Sequence, residues 1–181
     1  MVYLALVLYV LVVGTVIYFF LSSFISLIFW DWVPYVPTYD KDILVLKENL
    51  ELKEGGKLLD LGCWDWKVLR FIGRNFKLSQ LDWYDINPYA INYWKLLVKF
   101  WKLKNINLYR KNFLKAPIWE YDYIYTYLLT NLMEKIEDHL FSNMKPDAIV
   151  ISNSFQFKNH TPFKIIQNSK GKDRIYLYKK D

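Results

Sequence analysis

Cysteine is almost missing from this 181-residue chain. Cys63 stands alone, so no intrachain disulfide can form, which suits a reducing compartment. Histidine is nearly as scarce: His139 and His160 lie far apart and lack Cys or His companions at ligand spacing, so no metal partner is expected. Charge is absent from Met1 to Trp30, and a buried core helix rarely runs this long without a polar face. No Lys or Arg precedes that run and no small-x-small pattern lies near SLIFWDW, which argues against a cleaved signal peptide. The chain shows neither an internal repeat nor a low-complexity tract, and its lysines are scattered, so no nucleic-acid partner is indicated.

What fills the first thirty residues is apolar. VYLALVLYVLVVGTVIYFFL alone matches the length of a bilayer span, about 20 residues. Residues 1–30 are therefore expected to be one transmembrane helix, with Gly14 and Ser22-Ser23 leaving open a span followed by a shorter interfacial piece. All the charge, a formal +6, follows it. The positive-inside bias then expects a single-pass protein whose C-terminal domain is cytoplasmic and whose Met1 is outside. A basic domain tethered in this way has the anionic bilayer as its natural neighbour.

Residues 31–40, DWVPYVPTYD, read as a Pro- and aromatic-rich interfacial connector, and residues 41–181 as the domain. Thr38 or Asp40 can cap a helix through DILVLKENLEL, with Gly55-Gly56 as its stop. Strand and helix then alternate. KLLDLG (57–62), LSQLDWYD (78–85), NINLYRK (105–111), YDYIYTYLL (121–129) and DAIVISNSF (147–155) read as strands. Helices are expected in VLRFIGRNF, in residues 88–102 and in LMEKIEDHLFSNM. PFKIIQ and DRIYLYKK follow as two short strands around the turn at Ser169–Lys172. The fold class expected is α/β, a Rossmann-like and mainly parallel sheet with helices on both faces, ending in an antiparallel hairpin at one edge.

Such a sheet binds ligands beyond the carboxyl ends of its strands, where strand order reverses. Here that selects Gly62 after the first strand, Asp85 at the end of the second, and Asn112 after the third. Asp85 can accept from two vicinal ribose hydroxyls, or it can cap the next helix, a role open to Asn87 as well. A nicotinamide site wants G-x-G-x-x-G, but Gly62 is followed at those spacings by Trp64 and Lys67. Asp60, closing the first strand, would face a pyrophosphate unfavourably. It suits a cationic ligand with an amino group, such as S-adenosylmethionine.

LLDLGCWDWKVLR (58–70) resembles the D-x-G-x-G-x-G stretch of class I S-adenosylmethionine-dependent methyltransferases. VPYVPT (33–38), YDINPYAINYWK (84–95), YTYLLTNLMEKIEDHL (125–140) and ISNSFQF (151–157) resemble one branch of them, the small membrane-anchored protein-lysine methyltransferases of the ATP synthase c-subunit and adenine nucleotide translocase type. The resemblance spans Val33 to about Pro162 and implies S-adenosylmethionine as cofactor and a membrane or membrane-adjacent protein with an accessible lysine as substrate. It places Asp60, Gly62 and Cys63 in the cofactor loop and Asp65 on the acid within it. Asp85 falls on the ribose-binding acid, and Asn112 where an aspartate commonly receives the adenine amino group. Tyr127 and Thr38 would stand around the incoming amine; Tyr35 is expected chiefly to pack.

Trp64 and Trp66 depart from the glycine pattern. Indoles folded inward would fill the amino-acid end of the pocket; folded outward, they would cover the next helix or meet the membrane interface. Two functions thus stay open on the sequence: a tethered methyltransferase, or an inactive methyltransferase-fold scaffold. A second pair of readings concerns Lys95, Lys99 and Lys102, opposite Trp94, Leu97, Val98 and Trp101. They form either a solvated helix face or a stripe lying on anionic headgroups.

Overall fold

The computed structural model describes residues 2–29, 38–62, 67–86, 88–101, 103–167 and 173–180. They belong to two units, Met1–Tyr35 and Val36–Asp181. In the first, α1 runs from Val2 to Phe29, 28 residues or about 42 Å at 1.5 Å each. Its segment Tyr3–Leu21 has no charged side chain and is unburied. By length and composition the helix can cross a hydrocarbon core of about 30 Å.

The second unit is built on seven strands: β1 (Lys57–Leu61), β2 (Gln80–Asp85), β3 (Ile106–Arg110), β4 (Tyr123–Thr126), β5 (Ile149–Asn153), β6 (Lys164–Gln167) and β7 (Asp173–Tyr178). Their order is β3-β2-β1-β4-β5-β7-β6. β1 to β5 pair in parallel; β7 runs antiparallel to both β5 and β6, giving the edge hairpin that the sequence implies. The central strands read as nearly continuous apolar runs because both their faces are covered. Leu58, Leu59, Leu61, Trp83, Ile124, Tyr125, Val150 and Ile151 are all wholly buried.

Handedness sorts the helices. The chain steps from β1 to β2 to β3 in one direction and from β4 to β5 in the other, so right-handed crossovers place α3 (Lys67–Asn75) and α4 (Pro88–Phe100) on one face and α5 (Thr130–Asn143) on the opposite face. α2 (Asp40–Asn49) joins the first face, where Val45 and Leu46 share a core with Val68, Leu69, Ile72, Ala90, Ile91 and Trp83. Its N-cap is Tyr39 rather than Thr38 or Asp40, and it makes no side-chain cap bond. The helix stops at Asn49, before the glycine pair, because buried Leu50 turns extended into the core. The connector 31–37 and the turn 168–172 lie outside the described residues.

The α5 face is covered more thinly. Between β3 and β4 the chain forms two 3₁₀ turns, Phe113–Lys115 and Ile118–Glu120, which the sequence pattern did not announce. Tyr121, just after them, donates to the buried Asp82 carboxylate at 2.5 Å; Asn107 and Gln80 amides complete its partners at 2.8 and 2.6 Å. Between β5 and β6, residues 154–163 cross without a helix. Buried Glu137 of α5 holds that loop, accepting from the backbone N–H groups of Lys158 (3.2 Å) and Asn159 (2.7 Å) and pairing with His160 Nδ1 at 2.9 Å. The Phe141 ring stacks on His160 at 3.5 Å.

Burial alone would raise the Glu137 carboxyl, but the His160 hydrogen bond and the two backbone donors outweigh it and hold it below its ordinary value. A carboxyl depressed in the folded state stabilises above its unfolded pKa, and that stability is lost as pH falls through the folded pKa. Glu137→Gln is therefore expected to lower stability at neutral pH by about 1–3 kcal/mol. It should also flatten the loss of melting temperature below about pH 4.3, measured by thermal denaturation across pH.

Candidate functional site

The crevice where strand order reverses opens at the carboxyl ends of β1 and β4. Gly62 follows β1; its N–H donates to the Tyr84 carbonyl at 3.1 Å and so prolongs the ladder towards β2. Its φ of +76° lies in the left-handed region, where a side chain is strained. A Cβ there would stand 2.9 Å from Leu128 Cδ2 and 3.9 Å from Phe113 Cδ1. Leu128, just past β4, and Phe113, in the first 3₁₀ turn, thus close on the glycine from two loops.

Two acids flank this turn. Asp60 is wholly buried near the end of β1, and Asp85, also buried, ends β2. The register pairs Asp60 with Trp83, two residues before Asp85, so the period-two alternation of strands puts both carboxylates on one sheet face. A pair of buried acceptors at adjacent strand ends can receive hydroxyl or ammonium donors. Beyond β2, the Lys111 N–H donates to the Asp85 carbonyl at 3.0 Å, which draws the start of the next segment to the same end of the sheet. Asn112 follows. Exposed, it caps the 3₁₀ turn: its Oδ1 accepts from the Leu114 N–H at 2.9 Å, leaving one lone-pair direction for a ligand.

Tyr127 lies one residue past β4 and is half-buried, 6.1 Å from the Phe155 ring. Burial raises its hydroxyl pKa, the nearby Asp42 carboxylate adds to the rise, and Arg174 and a Ser154 hydrogen bond offset only part of it. At neutral pH the phenol therefore stays protonated. Thr38 is wholly buried, and its carbonyl accepts from Lys67 Nζ at 3.1 Å. The same ammonium reaches Asp40 at 3.3 Å, so the first residue of α3 ties the entry to α2 beside the cofactor-type turn. Cys63, Trp64, Asp65 and Trp66 lie outside the described residues.

Three features here have no local sequence signal. Asp42, in the first turn of α2, is wholly buried; its Oδ1 accepts from Arg174 Nε at 2.9 Å and Nη2 at 2.5 Å, while Oδ2 has no hydrogen-bond partner among the described residues. An acid at a helix start reads as an exposed dipole partner, and nothing in DKD points to an arginine 132 residues on. Ser154, after β5, takes φ +67° and donates through its N–H to the Arg174 carbonyl at 2.7 Å. Non-glycine residues there are uncommon, and such strain gathers at functional sites. Thr126, the last residue of β4, has a wholly buried hydroxyl that makes no hydrogen bond among the described residues.

The backbone of Gly62 sets a prediction. Gly62→Ala should cost about 1–2 kcal/mol of left-handed strain. Because the Leu128 contact involves only the tip of a side chain, Gly62→Ala should cost nearly as much melting temperature in a Leu128→Ala background as in the native one. Disappearance of the Gly62→Ala cost in that background would assign it to crowding.

With this geometry in place, the chain can be set beside known proteins. A family model described as the ANTKMT methyltransferase domain matches residues 60–164. A protein-lysine N-methyltransferase of Saccharolobus islandicus (strain REY15A) is 26% identical over 151 residues, covering 81% of this chain and 92% of that protein. Among solved structures, an RNA methyltransferase from Salinibacter ruber, in complex with S-adenosyl-L-homocysteine, aligns with a TM-score of 0.70 at 22% identity, over 80% of this chain and 94% of that one. A SAM-dependent methyltransferase from Aquifex aeolicus aligns with a TM-score of 0.59 at 20% identity, over 78% and 89%. These likenesses between structures establish the Rossmann-like methyltransferase fold. The family match runs from the acid of β1 through the edge of β6, more than half of the sequence, and the chain belongs to the ANTKMT methyltransferase domain family.

Proposed function

We propose that this chain is a membrane-anchored, S-adenosylmethionine-dependent methyltransferase acting on a lysine of a membrane or membrane-adjacent protein. The observation that carries the reading is the pair of buried carboxylates, Asp60 and Asp85, on one sheet face with left-handed Gly62 between their strand ends. The residues present fit the cofactor. Asp60 suits its cationic amino-acid end, Asp85 its ribose hydroxyls, and Gly62 a close backbone approach. Asn112 can still accept from the adenine amino group, without charge, and Cys63 and Asp65 would complete the loop. S-adenosylmethionine, when bound, supplies a methyl group on a sulfonium.

The chain's own residues then have a modest task. Rate in an in-line displacement comes chiefly from holding the acceptor amine in line. Tyr127 and Thr38 border the acceptor position in this reading. Because Tyr127 stays protonated, it orients the amine and takes no proton. Desolvation lowers the pKa of the incoming lysine and releases the nucleophile. The membrane part of the proposal is supported by α1, a helix apolar and long enough to span, and by the excess of Lys and Arg after it, which favours a single-pass protein with a cytoplasmic domain. Tethering raises the effective concentration of enzyme and substrate in one thin layer.

The test is methyl transfer. The detergent-solubilised full chain, given isotopically labelled S-adenosylmethionine and a membrane-protein fraction, should label lysine side chains on digestion. Asp85→Ala should lower kcat/KM about 10- to 100-fold, the loss of charge-assisted hydrogen bonds. Labelling only after Trp64→Gly/Trp66→Gly would favour a plugged, inactive scaffold. No labelling by either protein would overturn the reading.

A further inference from the structure

Residues 88–111 carry Lys95, Lys99, Lys102, Lys104, Arg110 and Lys111 and not one acid.

This basic segment also exposes apolar side chains. α4 turns Ala90 and Ile91 into the core and half-buries Trp94, Leu97 and Val98. Its outer face nevertheless presents Tyr93, Leu96 and Phe100, which are 47%, 66% and 75% exposed. These sit at i, i+3 and i+7 and form one ridge. Lys95 and Lys99 are exposed beside it. Between α4 and β3, an edge strand, runs an open groove of about 690 Å³. Lys95, Lys99 and Lys104 line it above an apolar floor that includes Val98, Leu103 and Ile106.

A ridge of large apolar side chains flanked by lysines is the pattern of a helix lying in a membrane interface. We infer that α4 and the edge of β3 form a bilayer-docking face. Lys95, Lys99 and Lys104 take the phosphates of an anionic phospholipid leaflet, and Tyr93, Leu96 and Phe100 enter the boundary between headgroups and acyl chains. Charge complementarity selects the occupant, and α1 supplies the bilayer. A nucleic acid would use the lysines and stack on the two rings, but it leaves aliphatic Leu96, 66% exposed, without a partner. The inference deepens the membrane part of the proposed function and rests on α1 being an anchor; it makes no use of methyl transfer.

The experiment places the full chain in nanodiscs of phosphatidylcholine alone or with about 30% phosphatidylglycerol, a content meant to mimic an anionic leaflet. Amine acetylation is then quantified lysine by lysine. Labelling of Lys95, Lys99 and Lys104 should fall at least about threefold in the anionic discs and recover in about 0.5 M salt. Lys158 and Lys164, towards the other edge of the sheet, should not change. Leu96→Glu/Phe100→Glu, which alters only exposed positions, should abolish the protection. Co-elution with discs but equal labelling in both lipids would overturn the docking face alone, whereas failure to co-elute would overturn the anchor and the face together. Protection by an RNA oligomer, with none from phosphatidylglycerol, would reassign the surface to nucleic acid and overturn the inference.

Discussion

Because β1 feeds a crossover to one side of the sheet and β4 feeds one to the other, no crossover roofs the gap between their carboxyl ends. That divergence positions the whole candidate site. The chain must leave β1 sharply, which Gly62 does at φ +76°. Asp60 and Asp85 come to one face because the parallel register of β1 and β2 sets them two residues apart along the ladder. Tyr127 and Leu128 arrive from the far lip because β4 ends at Thr126. Altering the order of the strands would scatter these groups, whereas altering the helices would only change what covers them.

The coverings are indeed reduced on one face, and buried polar groups do work there that helices do elsewhere. Asp82 fixes the two 3₁₀ turns through Tyr121, and Glu137 fixes the 154–163 loop through two backbone donors and His160. On the other face, the Asp42–Arg174 pair binds α2 to β7 next to Tyr127. Each carboxylate is buried and multiply bonded, so removing one partner strands a charge in a poorly solvated place. Such contacts contribute less to net stability than to uniqueness of arrangement. They hold loops in register where apolar packing alone would let them slide.

The alternation of strand and helix was legible because periodicity and strand-ending glycine agree along residues 57–155, and the edge hairpin because DRIYLY follows PFKIIQ without room for a helix. The places of Asp85 and Gly62 at the strand ends were legible for the same topological reason. The 3₁₀ turns were not: NFLKAPIWE is short, broken by Pro117 and without helical period. Asn112 could be placed at the right strand end, but its use as a cap depends on the backbone of Leu114 turning back. The Asp42–Arg174 pair depends on contacts that no local pattern encodes, and the α4 ridge emerged only when burial separated Leu97 and Val98 from Leu96 and Phe100.

Calorimetric titration of S-adenosylhomocysteine into the detergent-solubilised full chain asks whether the crevice beside Gly62 takes the adenosyl group. Saturable binding at one site per chain, abolished when Asp85 is replaced by Ala, is the result this account requires. Absence of binding to the native chain and to a form with glycine at positions 64 and 66 would contradict it.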